Sequence, residues 1–159
     1  MTMFRLSCVA AAAALLVACG GSDDSVRGEL IDPPAVVTTL TAAQIDATTA
    51  ASGLQALSGK AKCDVKVVAL NYRTPGAKDG EMSNASGVML VPGGMCSSAA
   101  PLVAHARGTD VLKTRTLANP QDGETFLLAA MYAAQGYAVV ATDYLGYAKS
   151  TYAFHPYLH

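Results

Sequence analysis

From residue 63 the pattern of side chains takes up a period of two. In "CDVKVVALNYRT", Val65, Val67 and Ala69 fall on one face and Lys66, Val68, Leu70 and Tyr72 on the other, a period of two that predicts a strand. The glycine-containing polar stretch "PGAKDGEMSNA" follows, and "SGVMLVP" predicts a second strand. So short a link joins neighbouring strands antiparallel. "GGMCSSAA" turns the chain again, and "PLVAHA" reads as a third strand, apolar enough to be buried. After the polar loop "RGTDVLKTRTLANPQDGE", the segment "TFLLAAMYAAQ" predicts an apolar helix stopped by Gly136, and "YAVVAT" a fourth strand. Strand, helix and strand in that order make a right-handed parallel crossover. The fold class is therefore α/β, with about four strands of which the first two are antiparallel.

Upstream of residue 63 the pattern is weaker. Thr41 with Gln44 makes a capping box, which predicts a short helix over 42–50 broken by Gly53 and Gly59. Residues 20–35, "GGSDDSVRGELIDPPA", combine Gly, Ser, acidic residues and a double Pro, the composition of a solvated tether. The opening "MTMFRLSCVAAAAALLVAC" has one basic residue, an apolar run and then small residues, the layout of a secretory signal. Its junction "LVAC" resembles the lipobox of bacterial lipoproteins. That resemblance implies cleavage before Cys19, lipid on Cys19 and, with Gly20 following, anchoring in the outer membrane. An ordinary signal peptide or a short membrane helix is the alternative, although the apolar run is shorter than the ~20 residues of a span. The expected division is a signal peptide over 1–18, a lipidated Cys and tether over 19–35, and one domain over 36–159.

Composition narrows the picture. The chain has 159 residues, of which 52% are hydrophobic and 14% charged, enough for one folded core and too few for two. A net charge of -1 and the lack of any basic stripe exclude nucleic acid as a partner. Of the four cysteines, Cys8 leaves with the signal and Cys19 goes to lipid, so Cys63 and Cys96 remain in an oxidising compartment. A leftover even pair in an exported domain reads as a disulfide, worth ~3 to 4 kcal/mol on the loop-entropy account. Two buried free thiols are the alternative.

In open α/β sheets, ligands bind beyond the carboxyl ends of the parallel strands. Two loops lie there, "HARGTD" and "TDYLGYAKS". On these loops and the flanking "GYAVVATDYLGYAKSTYAFHPYLH", residues from about 60 to 159 resemble the opening half of an α/β-hydrolase, most like bacterial exported esterases and the secretory-lipase group. The resemblance implies that backbone N–H groups at Gly108 and Thr109, with Asp110 a further candidate, help hold the oxyanion formed when an ester carbonyl is attacked. Arg107 stands where the family usually has His, and His105 lies two residues earlier. Without the resemblance, "RGTD" reads as a tight turn. Asp143, Gly146 and Ser150 match an Asp-x-x-Gly-x-Gly-x-Ser turn, in which Ala148 replaces the second Gly. Its implied role is architectural, because the triad acid of this fold follows the nucleophile in chain order.

No serine lies in a G-x-S-x-G turn, and no phosphate-binding glycine loop is present. His155 and His159 have an i, i+4 spacing, but Pro156 leaves His155 outside any helix and no third ligand is near, so no metal is expected. No cofactor is implied either. The reading is an N-terminal portion of an exported serine hydrolase acting on carboxylic esters, inactive alone because nucleophile, acid and base lie past residue 159. In the family's strand order 1-2-4-3-5 the third strand would then have a bare edge, open to self-association. The expected partners are an ester substrate once the missing region is supplied and a membrane reached through Cys19. The rival readings are a complete small lipoprotein serving as a surface binding or structural module, and a split enzyme completed by a partner chain.

Overall fold

In the computed structural model, residues 27–96 and 99–157 are described. The predicted signal segment, Cys19 and His159 lie outside the described residues. The backbone of the sheet is a long antiparallel hairpin of β2 (Asp64–Pro75) and β3 (Met82–Gly93), tighter than the sequence pattern suggests because pairing continues through Thr74 opposite Ser83. Alternation sets its faces: Val65 and Val67 are fully buried, and across the ladder Val67 meets Leu90 while Ala69 meets Val88. β4 (Leu102–Ala106) and β5 (Ala138–Thr142) are parallel to each other, and β5 inserts between β3 and β4.

The complete order is β1-β2-β3-β5-β4, in which β1 (Ala35–Leu40) is a fifth strand that the apolar pattern does not announce. Its Val36 and Val37 are adjacent and both exposed, so there is no alternation to read, and its register with β2 shifts between Val36 and Thr38. β1 is held by pairing with β2, and of its apolar side chains only Leu40 packs against the core. Residues 28–31, ahead of β1, also run alongside β2. Gly28 donates to the Arg73 carbonyl at 2.9 Å, Arg73 to Glu29 at 2.8 Å and Ile31 to Asn71 at 2.9 Å, so this segment satisfies backbone groups of β2 that β1 does not reach.

α1 (Ala42–Ser52) starts at the predicted capping box. The Gln44 amide donates to Thr41 Oγ1 at 3.2 Å, and the Thr41 amide donates to Gln44 Oε1 at 2.8 Å. It runs slightly past its predicted end, and a single further turn, α2 (Gln55–Ser58), follows. α3 (Gly123–Met131) begins where Asp122 accepts from the amides of Glu124 and Thr125, and a 3-10 turn over Ala133–Gln135 carries it to Gly136 in the left-handed conformation. Ala129, Ala130, Ala133 and Ala134 are all buried, so the helical segment lies close on the sheet against Val88, Leu90 and Val139, with Ile45 of α1 closing the core. Cys63 and Cys96 are joined in a disulfide across the open end of the hairpin.

β4 differs from expectation. Leu102 is 64% exposed and Ala104 and Ala106 are exposed as well, where burial was predicted from apolarity. The strand is an edge, bonded only to β5 among the described residues, and only Val103 and His105 turn toward the helical side.

Candidate functional site

Because β4 and β5 run in parallel side by side, the turn Arg107–Asp110 and the loop from Asp143 to Tyr157 leave the sheet at the same end. Asp143 anchors this end. It is fully buried and accepts from Ser86 Oγ at 2.7 Å, Thr116 Oγ1 at 2.9 Å and the Leu117 amide at 2.7 Å. One carboxylate thus ties β3, β5 and the loop before α3 into a single frame, a structural use of a carboxylate at a strand end.

Arg107 fills the other half of that frame. Its side chain is 1% exposed, with Nη1 3.8 Å from Asp143 Oδ1 and Nη2 donating to Asp110 Oδ2 at 2.8 Å. The guanidinium also lies 5.5 Å above the Tyr147 ring. Arg115 completes the network, bonded to Asp110 and Asp122 at 2.7 Å each and to Glu124 at 2.9 Å. Its hydrogen bond, followed by that of the Leu112 amide, holds the Asp110 carboxyl well below the usual carboxylate range, at about 2. Asp122 is lowered by the same guanidinium, and the bonds from Asp122 and then Asp110 raise Arg115 in turn.

Gly108 and Thr109 are exposed at the tip of the turn, and their amides donate to no other described residue. A Cβ on Gly108 would meet nothing within 4 Å, so no packing contact requires glycine there. Both ends of the turn are tied down by phenol groups. Tyr144 donates to the Arg107 carbonyl at 2.9 Å, Tyr147 donates to the Asp110 carbonyl, and Tyr157 lies 3.0 Å from the Tyr147 hydroxyl. Beyond Asp110 lies an open cleft of about 240 Å3 bounded by Val111, Lys113, Tyr147, Phe154 and His155.

The loop after β5 holds its shape through strained backbone and one buried amide. Gly146 has φ 84°, and Tyr144 and Ala148 have φ 69° and 49° without being glycine. A Cβ on Gly146 would stand 2.4 Å from the backbone of Phe154. Ser150 donates to the Asn84 carbonyl at 2.7 Å, while Asn84 Nδ2 donates to the Lys149 carbonyl at 2.8 Å. The two described histidines are engaged elsewhere, His105 with Glu124 at 2.7 Å and His155 with the Leu145 carbonyl at 2.8 Å, and neither bonds a serine. Among the described residues no cluster of His, Cys, Asp or Glu could hold a metal ion. The spacing of His155 to His159 falls outside the described residues at its second member.

The structure brings Gly108, Thr109, Asp110, Asp143 and Gly146 to one end of the sheet, while Cys63 and Cys96 sit at the other end of the hairpin. Sequence reasoning misses Arg115, Ser86, Thr116, Tyr144 and Tyr147. The available signal is the charge alternation in "RGTDVLKTR", where two arginines bracket one aspartate.

The fold is similar to solved structures of the rice cell wall degrading esterase LipA from Xanthomonas oryzae. A point mutant of that esterase is 39% identical over 84% of this chain and 33% of its own, with a TM-score of 0.71. The ligand-bound form gives 0.70 at the same identity and coverage. A hydrolase candidate from Legionella pneumophila, 21% identical over 81% of this chain and 34% of its own, shares the fold with a TM-score of 0.68. The chain thus spans about a third of the length of these proteins, and the described residues form a partial α/β-hydrolase-like domain. No protein-family model matches the chain, and neither does any curated protein.

Proposed function

We propose that the chain is the N-terminal part of an exported ester hydrolase, supplying the opening strands of the catalytic sheet and the oxyanion-side turn, while nucleophile, acid and base come from outside its 159 residues. The observation that carries this reading is the turn Arg107–Asp110 at the carboxyl end of β4, with the free amides of Gly108 and Thr109 at its tip, in a chain 39% identical to an esterase. Attack on an ester carbonyl puts negative charge on its oxygen. Preorganised N–H donors at that oxygen contribute on the order of 3 kcal/mol to the transition state. Asp110, the nearest carboxylate in the chain, has its charge taken up by Arg107 and Arg115 and so opposes that oxyanion little. Asp143, buried and committed to three donors, serves the frame rather than the chemistry.

In this reading the chain alone does not turn over esters. The signal segment and lipid on Cys19 place it at a bacterial membrane facing an oxidising compartment, which accords with the Cys63–Cys96 disulfide. Isolated copies associate through the outer edge of β4. The test is hydrolysis of p-nitrophenyl butyrate by the purified full chain and by a chimaera in which residues 36–157 replace the matching part of the Xanthomonas esterase. The expected result is no turnover by the chain and turnover by the chimaera. Turnover by the chain alone, or a folded but inert chimaera, overturns the reading.

A further inference from the structure

The turn Arg107–Asp110 has no regular secondary structure and no backbone hydrogen bond of its own from Gly108 or Thr109. Only Gly108 and Thr109 of these four residues are exposed, and an exposed tip without backbone bonds would be expected to sample several directions, yet the carbonyls at the two ends of the turn are both occupied by phenol hydroxyls from the loop after β5. Tyr144 reaches the Arg107 carbonyl, which belongs to the peptide unit that carries the Gly108 N–H. Tyr147 reaches the Asp110 carbonyl at the far end. A bond to the carbonyl oxygen of a planar peptide fixes the direction of the N–H on its opposite side. The Tyr144 hydroxyl therefore aims the Gly108 amide without touching anything bound to it.

The backbone of Tyr144 supports this assignment. At φ 69° it occupies the left-handed region, which costs a residue with a Cβ roughly 1 to 2 kcal/mol, and its amide is held there by Thr142 Oγ1 at 3.0 Å. Strain of this kind persists where the surroundings over-determine it, and functional sites are where it collects. The Tyr147 ring is buried beneath the Arg107 guanidinium, which fixes its hydroxyl between the Asp110 carbonyl and the Tyr157 hydroxyl. His155 packs against both rings, 5.7 Å from Tyr144 and 5.2 Å from Tyr147, and bonds the Leu145 carbonyl between them.

We infer that Tyr144 and Tyr147 are positioning residues: the Tyr144 hydroxyl, bonded to the Arg107 carbonyl, sets the direction of the Gly108 amide, and the Tyr147 hydroxyl, bonded to the Asp110 carbonyl, anchors the far end of the turn that carries Thr109. The inference rests on the reading of that turn as the oxyanion side of an ester hydrolase, but the holding of the turn is measured separately from any hydrolysis. The first measurement is 15N relaxation of the full chain, comparing wild type with Tyr144→Phe, Tyr147→Phe and the double variant. Phenylalanine keeps each ring and removes only the hydroxyl. Order parameters at Gly108 and Thr109 are expected near ~0.85 in the wild type and below ~0.6 in the double variant, with β2 and β3 unchanged. Equal order parameters in all four proteins, or loss of order spread evenly over the sheet, overturns the inference.

The second measurement uses the chimaera. There each single Phe variant is expected to lower kcat about tenfold with KM within about twofold, the signature of an interaction made only in the transition state. A rise in KM at constant kcat overturns positioning and assigns the phenols to substrate binding. An inert wild-type chimaera refutes the hydrolase reading alone, and the relaxation result then still decides whether the phenols hold the turn.

Discussion

Gly146 and Ala148 sit two residues apart in the same loop, both with positive φ, and glycine is the favoured residue at each. At Gly146 a methyl group would fall 2.4 Å from the Phe154 carbonyl carbon and 2.5 Å from the His155 amide, and both are backbone that cannot swing away. Gly146→Ala is therefore expected to destabilise by roughly 2 to 3 kcal/mol in urea denaturation, and a loss under 0.5 kcal/mol would show that the loop has another place to go. Ala148, at φ 49°, already carries the left-handed penalty, and Ala148→Gly is expected to gain about 0.5 kcal/mol after the added freedom of the unfolded chain is counted. The ion network gives the residue scale its pH dependence. The Asp110 carboxyl is depressed from 3.8 to about 2, so its contribution to stability is complete above the unfolded value and disappears as pH falls through about 2. Without Arg115 that window closes toward ordinary carboxylate behaviour, and Arg115→Gln is expected to shift the acid transition, followed by circular dichroism, to higher pH. Unchanged acid midpoints would show that Arg115 is not what holds the carboxyl down. Gly146 was legible in the sequence because a glycine in a motif advertises a backbone need. The pairings of Arg107 and Arg115 were not, because an ion pair is identified by its partners, and Asp143 lies 36 residues from the arginine it faces.

At the level of elements, what could be read from sequence follows burial. β2 was plain because its period of two reports a buried face, β3 because an apolar run follows a short turn, although residues 84–88 are buried on both faces, and α1 announced itself through Thr41 and Gln44. β1 was silent because its valines face solvent and hydrogen bonds to β2 define it. β4 was found as a strand but assigned to the interior, since apolarity records what a strand is built to meet and not what is beside it. Its outer edge carries backbone donors and acceptors with no neighbouring strand among the described residues, and Leu102, Ala104 and Ala106 add apolar surface without a charge to deter pairing. Association along that edge is expected to grow with concentration in sedimentation velocity. Leu102→Lys places a cation where a second strand would approach and is expected to return the chain to monomer at the same concentration. Equal sedimentation of the two proteins would move the association elsewhere.

For the whole molecule, the sheet is held from its two ends by different means. At one end Asp143, Arg107 and Arg115 bind the loops through charge, and at the other Cys63 and Cys96 close the hairpin covalently over a separation of 33 residues. The disulfide adds little constraint to the folded chain, because the ladder already sets Asp64 opposite Gly93 next to it. Its effect falls on the unfolded ensemble, which loses loop freedom worth ~3 to 4 kcal/mol on the entropic account. Two consequences separate this from a packing effect. Cys63→Ser with Cys96→Ser is expected to lower the unfolding free energy by about 3 kcal/mol, and the dependence on urea should steepen, because an unlinked unfolded chain exposes more surface. A cavity or strain left by losing the sulfurs would lower stability with the slope unchanged. If the doubly substituted chain melts in urea with the wild-type slope, the bond acts on the native hairpin, and the covalent tie must be supporting a hairpin that cannot hold its own register.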